Sequence, residues 1–461
     1  MVSMTVSDFL EQHNERAELQ LMEFLRIPSV STDPDCASEV ARCAEWLAEH
    51  LRSIGMPTVQ VYPTKGHPIV YAENLQAGAD QPTILFYGHY DVQPVDPIDL
   101  WTNPPFEPTV RDGKVFARGA TDDKGQVFLH IKAIEALLAV NGKLPVNIKL
   151  LIEGEEEIGS PHLDPFVREN KTMLSCDAVL VSDTSMFAPG MPSIVYGLRG
   201  LAYLQIDVQG PNRDLHSGSY GGVVTNPLNA LAHIISQLKS IDGRILVPGF
   251  YDDVLGLSQE EAQGLNDLGF DDVRLMNDVG VDTLVGETGF TSPERLWTRP
   301  TLDVNGMLGG FTGERAKTVL PSRAMAKVSM RLVPNQKHHD IAERVMNFIQ
   351  KIAPPGVTVR VQDLHGADPV LVPRNTHAIS AAVQALEETF GTKCRFAREG
   401  GSIPVVLLFD TVLQAPTVLM GFGLNNENAH SPDEHFDLGN FRLGMKAAAR
   451  YYQLMATSTT T

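Results

Sequence analysis

Residues 83–91 read TILFYGHYD, and this stretch decides the fold. A mostly apolar run ends at Gly88, and His89 and Asp91 follow it at once. Such a run, bounded by turn residues, is typical of a buried strand. In open α/β sheets ligands bind beyond the carboxyl ends of the strands, so a functional histidine is expected here. Standing alone, an H-x-D pattern is explained better by a capped turn with one solvated aspartate.

The same arrangement occurs twice more along the chain. VNIKLLIEGEEE (146–157) is an apolar strand followed by three glutamates, and AVLVSD (178–183) is a strand followed by Asp183. Adjacent glutamates usually form a solvated charge run. These follow an apolar strand, however, where uncompensated carboxylates are costly to bury, and a cation would remove that cost.

Helices and strands alternate along the first two hundred residues. Helical periodicity covers residues 6–24, 39–53 and 126–140, and short β-branched runs cover residues 58–62, 69–74, 83–88, 146–154 and 178–182. Gly55 follows the second helix, as expected for a helix end. This alternation predicts an α/β layer with a largely buried sheet.

The pattern changes after Gly197. The elements that follow are, in order, strand LAYLQIDVQ, a helix after Asn226, a long irregular stretch rich in Asp and Gly, strand AKVSMRLVP, a helix from residue 339 and strand VTVRVQ. This order predicts a small α+β domain, residues 198–366, inserted into a discontinuous domain of residues 1–197 and 367–461.

Composition excludes several classes of protein. The 37 Lys and Arg against 56 Asp and Glu give a net charge of −19, which argues against nucleic-acid or anionic-membrane partners. No apolar run approaches the ~20 residues of a membrane span. Four cysteines without a C-x-x-C pair indicate reduced thiols. The N-terminal stretch becomes charged within eleven residues, so we expect no signal peptide and a cytoplasmic location.

Two further segments carry groups that could join those at the strand ends. FARGATDDKG (116–125) places Asp122 and Asp123 before a helix, where carboxylates are commonly N-caps. NNENAHSPDEHF (425–436) supplies His430 and Glu434.

Five residues of these segments form a candidate metal-ligand set: His89, Asp122, Glu157, Asp183 and His430. Two imidazoles with three carboxylates suit zinc, or less tightly cobalt or manganese. Five ligands exceed the needs of one catalytic zinc, but with one bridging carboxylate they satisfy two metals with three ligands each. Asp91 is placed to hold the second ring nitrogen of His89. Glu156 is not one of the five candidate ligands and is the candidate general base.

The segments resemble the zinc aminopeptidase, aminoacylase and deacylase superfamily, and within it most closely the carnosinase and cytosolic non-specific dipeptidase branch. Ten motifs match in order between about residues 80 and 435: GHYDVQP, RGATDDKG, GEEEIGS, SDT, YGLRG, DLHSGSYGG, KTVLP, RLVPN, REGGSIP and AHSPDE. The resemblance implies a mixed-sheet α/β/α catalytic domain of phosphorylase/hydrolase-like type, with the insert as an α+β lid and dimerisation domain.

The resemblance also implies a division of the ligands. His89, Asp122 and Asp183 would hold one metal, and Asp122, Glu157 and His430 the other, so that Asp122 is the bridge. Asp123 would not be a ligand, and the Asp122–Asp123 peptide bond would be cis.

Further residues are implied by the same motifs. His216 would reach the partner subunit's site and polarise the scissile carbonyl, although without the resemblance a loop histidine is the simpler interpretation. Arg331 would pair with the substrate's terminal carboxylate, a task that suits a guanidinium; a surface ion pair is the alternative. The remaining residues expected to line the substrate pocket are Thr318, His365, Ser402 and Glu434.

The predicted function is that of a homodimeric di-metal hydrolase, which cleaves dipeptides with a free C-terminal carboxylate by means of a metal-activated water and Glu156. We expect two divalent ions per subunit, zinc in the first instance, with manganese or cobalt as alternatives. An N-acyl-amino-acid deacylase or a carboxypeptidase of the same superfamily is the first competing hypothesis. A non-catalytic binding protein on the same fold is the second.

Overall fold

The computed structural model describes residues 4–401 and 403–456. Within these residues the chain forms two compact units. The first draws on Met1–Tyr196, Val372–Ala397 and Val405–Thr461, and the second on Gly197–Leu371 and Arg398–Pro404. Each unit is described separately below.

A mixed sheet forms the centre of the first unit. Its four central strands run parallel, in the order Asn147–Glu153, Thr83–His89, Ala178–Val181 and Thr417–Leu419. Ile69–Asn74 and then Thr58–Tyr62 extend one side of the sheet antiparallel, and Ser193–Leu198 pairs antiparallel with the last central strand. The strand Asn147–Glu153 is buried along its whole length, as expected for a parallel strand covered on both faces.

Seven helices accompany this sheet: Val6–Gln12, Asn14–Leu25, Ala37–Ser53, Lys124–Asn141, Leu163–Glu169, His377–Phe390 and Leu438–Ala456. Helix Lys124–Asn141 contacts the C-terminal helix and is buried on nearly every face. The periodicity over residues 6–24 predicted one helix, but the structure has two that are interrupted at His13. Gly55, with φ +96°, follows helix Ala37–Ser53 as expected.

Two small sheets also belong to the first unit. His435–Asp437, Lys114–Phe116 and Thr109–Arg111 form an antiparallel three-stranded sheet, and Ser185–Met186 pairs with Gly423–Leu424. The apolar run at residues 405–409 belongs to helical structure, Pro404–Leu408 followed by Phe409–Leu413. All four cysteines are free, as predicted.

The second unit contains an antiparallel four-stranded sheet in the order Thr301–Gly309, Arg323–Leu332, Gly200–Gln209 and Thr358–Ala367. Helices Pro227–Ser236 and His338–Ile352 pack on one face. Along Gly200–Gln209 buried and half-buried residues alternate, so one face builds the core and the other stays partly open.

The edge strand Thr301–Gly309 was not predicted, because its sequence TLDVNGMLG mixes polar residues and glycines with few apolar positions. Only Leu302 of this strand is buried, which leaves no clear alternation to detect. Three short helices also lie in the stretch that carried no predicted element: Gln259–Asn266, Asp272–Val279 and Ser292–Trp297. No helix among the described residues is long and apolar enough to cross a membrane.

Candidate metal centre

His89 is the last residue of its central strand and is completely buried. Its Nδ1 lies 3.0 Å from the carbonyl oxygen of Asp91 and 3.3 Å from that residue's carboxylate. A carbonyl oxygen only accepts hydrogen bonds, so Nδ1 carries the proton and Nε2 of the neutral ring keeps its lone pair. Nε2 faces the Asp122 carboxylate, which is the tautomer that a metal ligand requires.

Asp91 has a second role that the sequence did not suggest. Its carboxylate accepts hydrogen bonds from the backbone N–H groups of Glu156, at 3.2 Å, and of Glu157, at 3.1 Å. The hydroxyl of Ser31 donates to the same carboxylate at 2.7 Å. Asp91 therefore fixes both the ring of His89 and the turn that carries the two glutamates.

Asp122 lies between two histidines. Its Oδ1 is 3.1 Å from Nε2 of His89, and its Oδ2 is 2.9 Å from Nε2 of His430. Burial opposes ionisation of Asp122, but the contacts with His430 and His89 outweigh it and lower its pKa below the ordinary value. The Asp122–Asp123 peptide bond is cis, as the resemblance implied.

The five candidate ligands come together as two groups that share Asp122. His89, Asp122 and Asp183 form one group, and Asp122, Glu157 and His430 the other; within each group the ligand atoms lie within 4.8 Å of one another. Nε2 of His89 is 4.0 Å from Asp183, and Nε2 of His430 is 3.4 Å from Glu157. One carboxylate bridging two three-ligand sets is therefore possible in this geometry.

Without a cation, the carboxylates of this cluster repel one another and one of their oxygens has no hydrogen-bond partner. Oε1 of Glu157 is buried and has no hydrogen-bond partner, although Oε2 accepts from Gln93 at 2.6 Å. Burial, followed by repulsion from Asp122, raises the pKa of Glu157 to about 10. The same two causes raise the pKa of Asp183 to about 6. Because a bound cation would reverse this repulsion, these residues fit divalent metal ions.

Glu156 lies beside the ligands but belongs to neither group. It begins the short turn Glu156–Ile158 that follows the central strand. Burial, together with the negative charges of Asp183 and Asp122, raises the pKa of Glu156 well above its ordinary value. A half-buried carboxylate with a raised pKa next to a metal-ligand cluster is a candidate for proton transfer.

The loop that presents Asp122 is held by Glu434, which is fully buried. Oε2 of Glu434 accepts from Arg118 Nη1 at 2.7 Å and from the N–H of Gly119 at 2.9 Å. Oε1 accepts from the N–H groups of Thr121, at 3.1 Å, and Asp122, at 3.2 Å. These donors occupy both oxygens, so the carboxylate orders the loop.

Several supporting residues were not found from the sequence. Glu427 is buried and accepts from the Thr121 hydroxyl at 2.7 Å, and Gln93 contacts Glu157. Glu427 lies in the segment NNENAHSPDEHF and Gln93 in the motif GHYDVQP, so their only sequence signal is that they neighbour a candidate ligand. Ser31 lies sixty residues from its partner Asp91 in a segment without a signal of its own.

The second unit contains the other residues that the motifs singled out. His216 precedes the short helix Ser217–Tyr220 and is exposed; its Nδ1 accepts from the N–H of Gly218 at 3.0 Å. Thr318 lies beside it, because its carbonyl oxygen accepts from the N–H of Ser217 and Val319 pairs with His216. The structure thus brings His216 and Thr318 together.

Arg331 and His365 lie on the same face of the four-stranded sheet. Leu201 is opposite Arg331 and Tyr203 is opposite His365, and positions two residues apart on a strand share a face. The rings of Tyr203 and His365 stack with centroids 5.1 Å apart. Ser402, also expected in the substrate pocket, lies outside the described residues.

A mixed α/β sheet with two histidines and three carboxylates gathered beside it, one aspartate being common to two ligand groups, is the arrangement of a metal-dependent hydrolase. Comparison with known protein families narrows this class of hydrolase to one family. The chain belongs to peptidase family M20/M25/M40, whose model matches residues 85–454, and it is a metallopeptidase.

Individual relatives cover almost the whole chain. The Cys-Gly metallodipeptidase dug1 of Schizosaccharomyces pombe is 33% identical over 98% of both chains. The Beta-Ala-His dipeptidase of Homo sapiens is 31% identical, over 98% of this chain and 92% of the relative. Among solved structures, human carnosine dipeptidase 1 has a TM-score of 0.85 at 31% identity, over 98% of each chain. The M20 family metallo-carboxypeptidase Sso-CP2 of Sulfolobus solfataricus has a TM-score of 0.84 at 34% identity, over 95% of this chain and 99% of its own.

Proposed function

We propose that this protein is a dipeptidase that uses two divalent metal ions, zinc in the first instance, with manganese or cobalt as alternatives. The observation that carries the proposal is the position of Asp122 between the His89–Asp183 and Glu157–His430 sides of one cluster. Relatives that match this chain over at least nine-tenths of their own length are named dipeptidases, which supports a dipeptide as the substrate. The free thiols favour a reducing, cytoplasmic compartment.

Each residue group would hold one ion, with Asp122 in both. Divalent ions held there would supply Lewis acidity to the scissile carbonyl and to the attacking water. Two residues of the chain would prepare the ligands. Asp91 keeps Nε2 of His89 unprotonated, and Glu434 holds Asp122 in place. Both contacts orient ligands before substrate arrives.

Glu156 would act as the general base. Its backbone N–H is anchored by Asp91, which sets the position of the side chain relative to the ligands. The carboxylate would take a proton from the attacking water and pass it to the leaving amine. Asp91 acts through His89 and the turn, so it is a positioning residue.

His216 would stabilise negative charge on the carbonyl oxygen of the substrate. Its Nδ1 accepts a hydrogen bond, so in the neutral ring the proton is on Nε2, which can donate to that oxygen. We propose that this histidine acts in the site of a second subunit, and that the inserted unit, residues 198–366, serves as lid and dimerisation domain. Thr318 would line the substrate pocket beside it.

Arg331 would bind the terminal carboxylate of the dipeptide. The half-buried guanidinium has the fork geometry that matches a carboxylate. His365, on the same sheet face, and Ser402 would line the pocket further. The buried contacts of Glu434 support a role in holding the Asp122 loop rather than direct contact with substrate.

A substrate panel tests the proposal. Purified protein is supplied with zinc, manganese or cobalt and assayed on Cys-Gly, β-Ala-His and Ala-Ala, on N-acetyl and N-succinyl amino acids, and on tetrapeptides. Hydrolysis of the free dipeptides at the highest kcat/KM is the expected result. Release of C-terminal residues from tetrapeptides at a comparable rate would favour a carboxypeptidase, the second candidate, which the likeness to Sso-CP2 supports. Preference for acylated amino acids would contradict both.

A further inference from the structure

The second unit contains a cavity of about 560 Å³ beside the open face of its sheet. One wall is formed by the sheet, with Ser329 and Arg331, and by Arg199 just before strand Gly200–Gln209. The other wall comes from residues 275–300, most of which belong to the long stretch in which the sequence predicted no element. The cavity lies wholly within the second unit.

Strand register brings two arginines together in this cavity. Gly200 pairs with Leu332 and Leu201 with Arg331, so Arg199 lies diagonally across from Arg331. Arg199 and Leu201 are two residues apart and share a face, which is also the face of Arg331. Diagonal neighbours in a sheet are within reach of each other's long side chains. Burial, followed by the positive charge of Arg331, lowers the pKa of Arg199 to about 10.

The cavity is cationic although the whole chain carries a net charge of −19. Five lysines and arginines line it, against two carboxylates, so the difference is 5 − 2, or +3. Asp303 contacts Lys239 at 3.1 Å, and Glu287 accepts both hydrogen bonds of the Arg299 fork, at 2.7 and 2.9 Å. The two carboxylates thus already have cationic partners, which favours an anion as the cavity's ligand.

Apolar side chains complete the wall opposite Arg199 and Arg331, a wall that also carries Arg295 and Arg299. Leu275, Leu284, Val285 and Leu296 line the cavity, and Val285 is 85% exposed. A large apolar side chain left this exposed at a cavity is available to contact a ligand. Guanidinium groups and aliphatic side chains in one cavity match a molecule with one carboxylate and one apolar side chain.

We propose that this cavity binds a small aliphatic carboxylate, with Arg199 as a second guanidinium beside Arg331 and the 275–296 wall selecting the apolar group. The identity of the natural ligand rests on the proposed function, under which it is the C-terminal residue of the dipeptide. Arg199 is then a specificity-determining residue, and the stretch 275–296 sets the preference for the side chain that follows the scissile bond.

Calorimetric titration of the metal-loaded protein tests the cavity without relying on turnover. The probe is 4-methylpentanoate, and its primary amide serves as the uncharged counterpart. The wild type is expected to bind the acid and to reject the amide. Arg199→Gln should lower the affinity for the acid about tenfold or more, because a charge-assisted pair is lost. Arg360→Gln is the matched control, because Arg360 is exposed on the same sheet and does not line the cavity.

A second variant separates recognition of charge from damage to the fold. Arg199→Lys keeps the positive charge and should retain most of the affinity that Arg199→Gln loses. Equal binding by Arg199→Gln and Arg360→Gln would overturn the proposal. So would equal losses in Arg199→Gln and Arg199→Lys, because charge would then not be what is recognised.

The result is distinct from failure of the proposed function. A wild type that hydrolyses no dipeptide but binds the acid through Arg199 would refute dipeptidase activity and leave the cavity assignment intact. Conversely, an active dipeptidase in which Arg199→Gln leaves both acid binding and KM unchanged would refute the cavity assignment alone.

Discussion

Arg118 Nη1 lies 2.7 Å from Oε2 of Glu434, and both side chains are buried in the first unit. The same carboxylate accepts from the backbone of Gly119, Thr121 and Asp122, the residue shared by the two ligand groups. A buried ion pair is weak evidence for net stability, but removal of one partner leaves the other charge without compensation. The geometry of the cluster therefore depends on a carboxylate more than three hundred residues away in sequence.

Glu434→Gln should destabilise the protein and loosen metal binding together. The neutral amide leaves the Arg118 guanidinium buried without its counter-charge, which we expect to cost about 3–5 kcal/mol in free energy of unfolding. Urea unfolding and metal titration measure the two effects. Glu11→Gln, which removes one partner of an exposed ion pair with Lys446, should change stability by less than about 1 kcal/mol. Wild-type stability in Glu434→Gln would contradict the assignment.

Glu156→Gln should abolish most turnover while the metals stay bound. A positioned general base contributes roughly 10²- to 10⁴-fold to the rate, and Glu156 belongs to neither ligand group. Steady-state kinetics together with metal analysis of the same sample would show this separation. Glu107→Gln makes the same charge change at an exposed position and should leave both quantities unaltered. Full activity in Glu156→Gln would exclude it as the base.

Asp122→Asn should lower metal content more than Asp183→Asn. Asp122 belongs to both residue groups and Asp183 to one, so the first change weakens both positions and the second weakens one. The metal content of each variant is measured by inductively coupled plasma mass spectrometry after dialysis against the same zinc buffer. It should fall from about two ions per chain to nearly none in Asp122→Asn and to about one in Asp183→Asn. Equal metal loss in the two variants would show that Asp122 is not shared.

Buried His130 should make the protein sensitive to mild acid. Its Nε2 lies 2.6 Å from the Ser182 hydroxyl, and burial lowers its pKa from 6.5 to about 3. Below pH 6.5 the unfolded chain takes up a proton at this residue and the folded chain does not, so stability is complete above pH 6.5 and is lost as the pH falls towards 3.

At pH 5 this linkage amounts to about 2 kcal/mol. Urea unfolding at pH 7 and pH 5 should therefore show a larger loss for the wild type than for His130→Gln, which cannot titrate. The ligand histidines are common to both proteins, so their contribution cancels in the comparison. Identical losses in the two proteins would mean that His130 is charged when folded.

Much of the architecture follows from patterns that are local in the chain. The strands at residues 58–62 and 69–74 match their apolar, β-branched runs, because burial on a sheet selects such residues wherever the strand lies. His89, Glu157 and Asp183 could be named as candidate ligands because polar groups that follow neighbouring apolar strands are expected at one sheet edge. Asp122 and His430 follow no predicted strand, and only the segments that contain them indicated a role.

Other features depend on packing between distant segments. The edge strand Thr301–Gly309 has little buried surface and hence no alternating pattern, so only its pairing with Arg323–Leu332 defines it. The resemblance implied that Glu434 lines the substrate pocket, and this stays a prediction; the hydrogen bonds of its carboxylate to the Asp122 loop appear only in the structure. Which partner a buried carboxylate finds is decided by the fold around it.

The sequence by itself thus determined the alternating α/β order, the metallopeptidase class and the five candidate ligands, because each is written in short runs of side-chain chemistry. Only the tertiary structure decided that Asp91 anchors the 156–157 turn, that Glu434 orders the Asp122 loop, and that Arg199 lies beside Arg331. These relationships depend on hydrogen bonds and strand register between segments far apart in the chain, and such pairings leave no periodic trace in either segment alone.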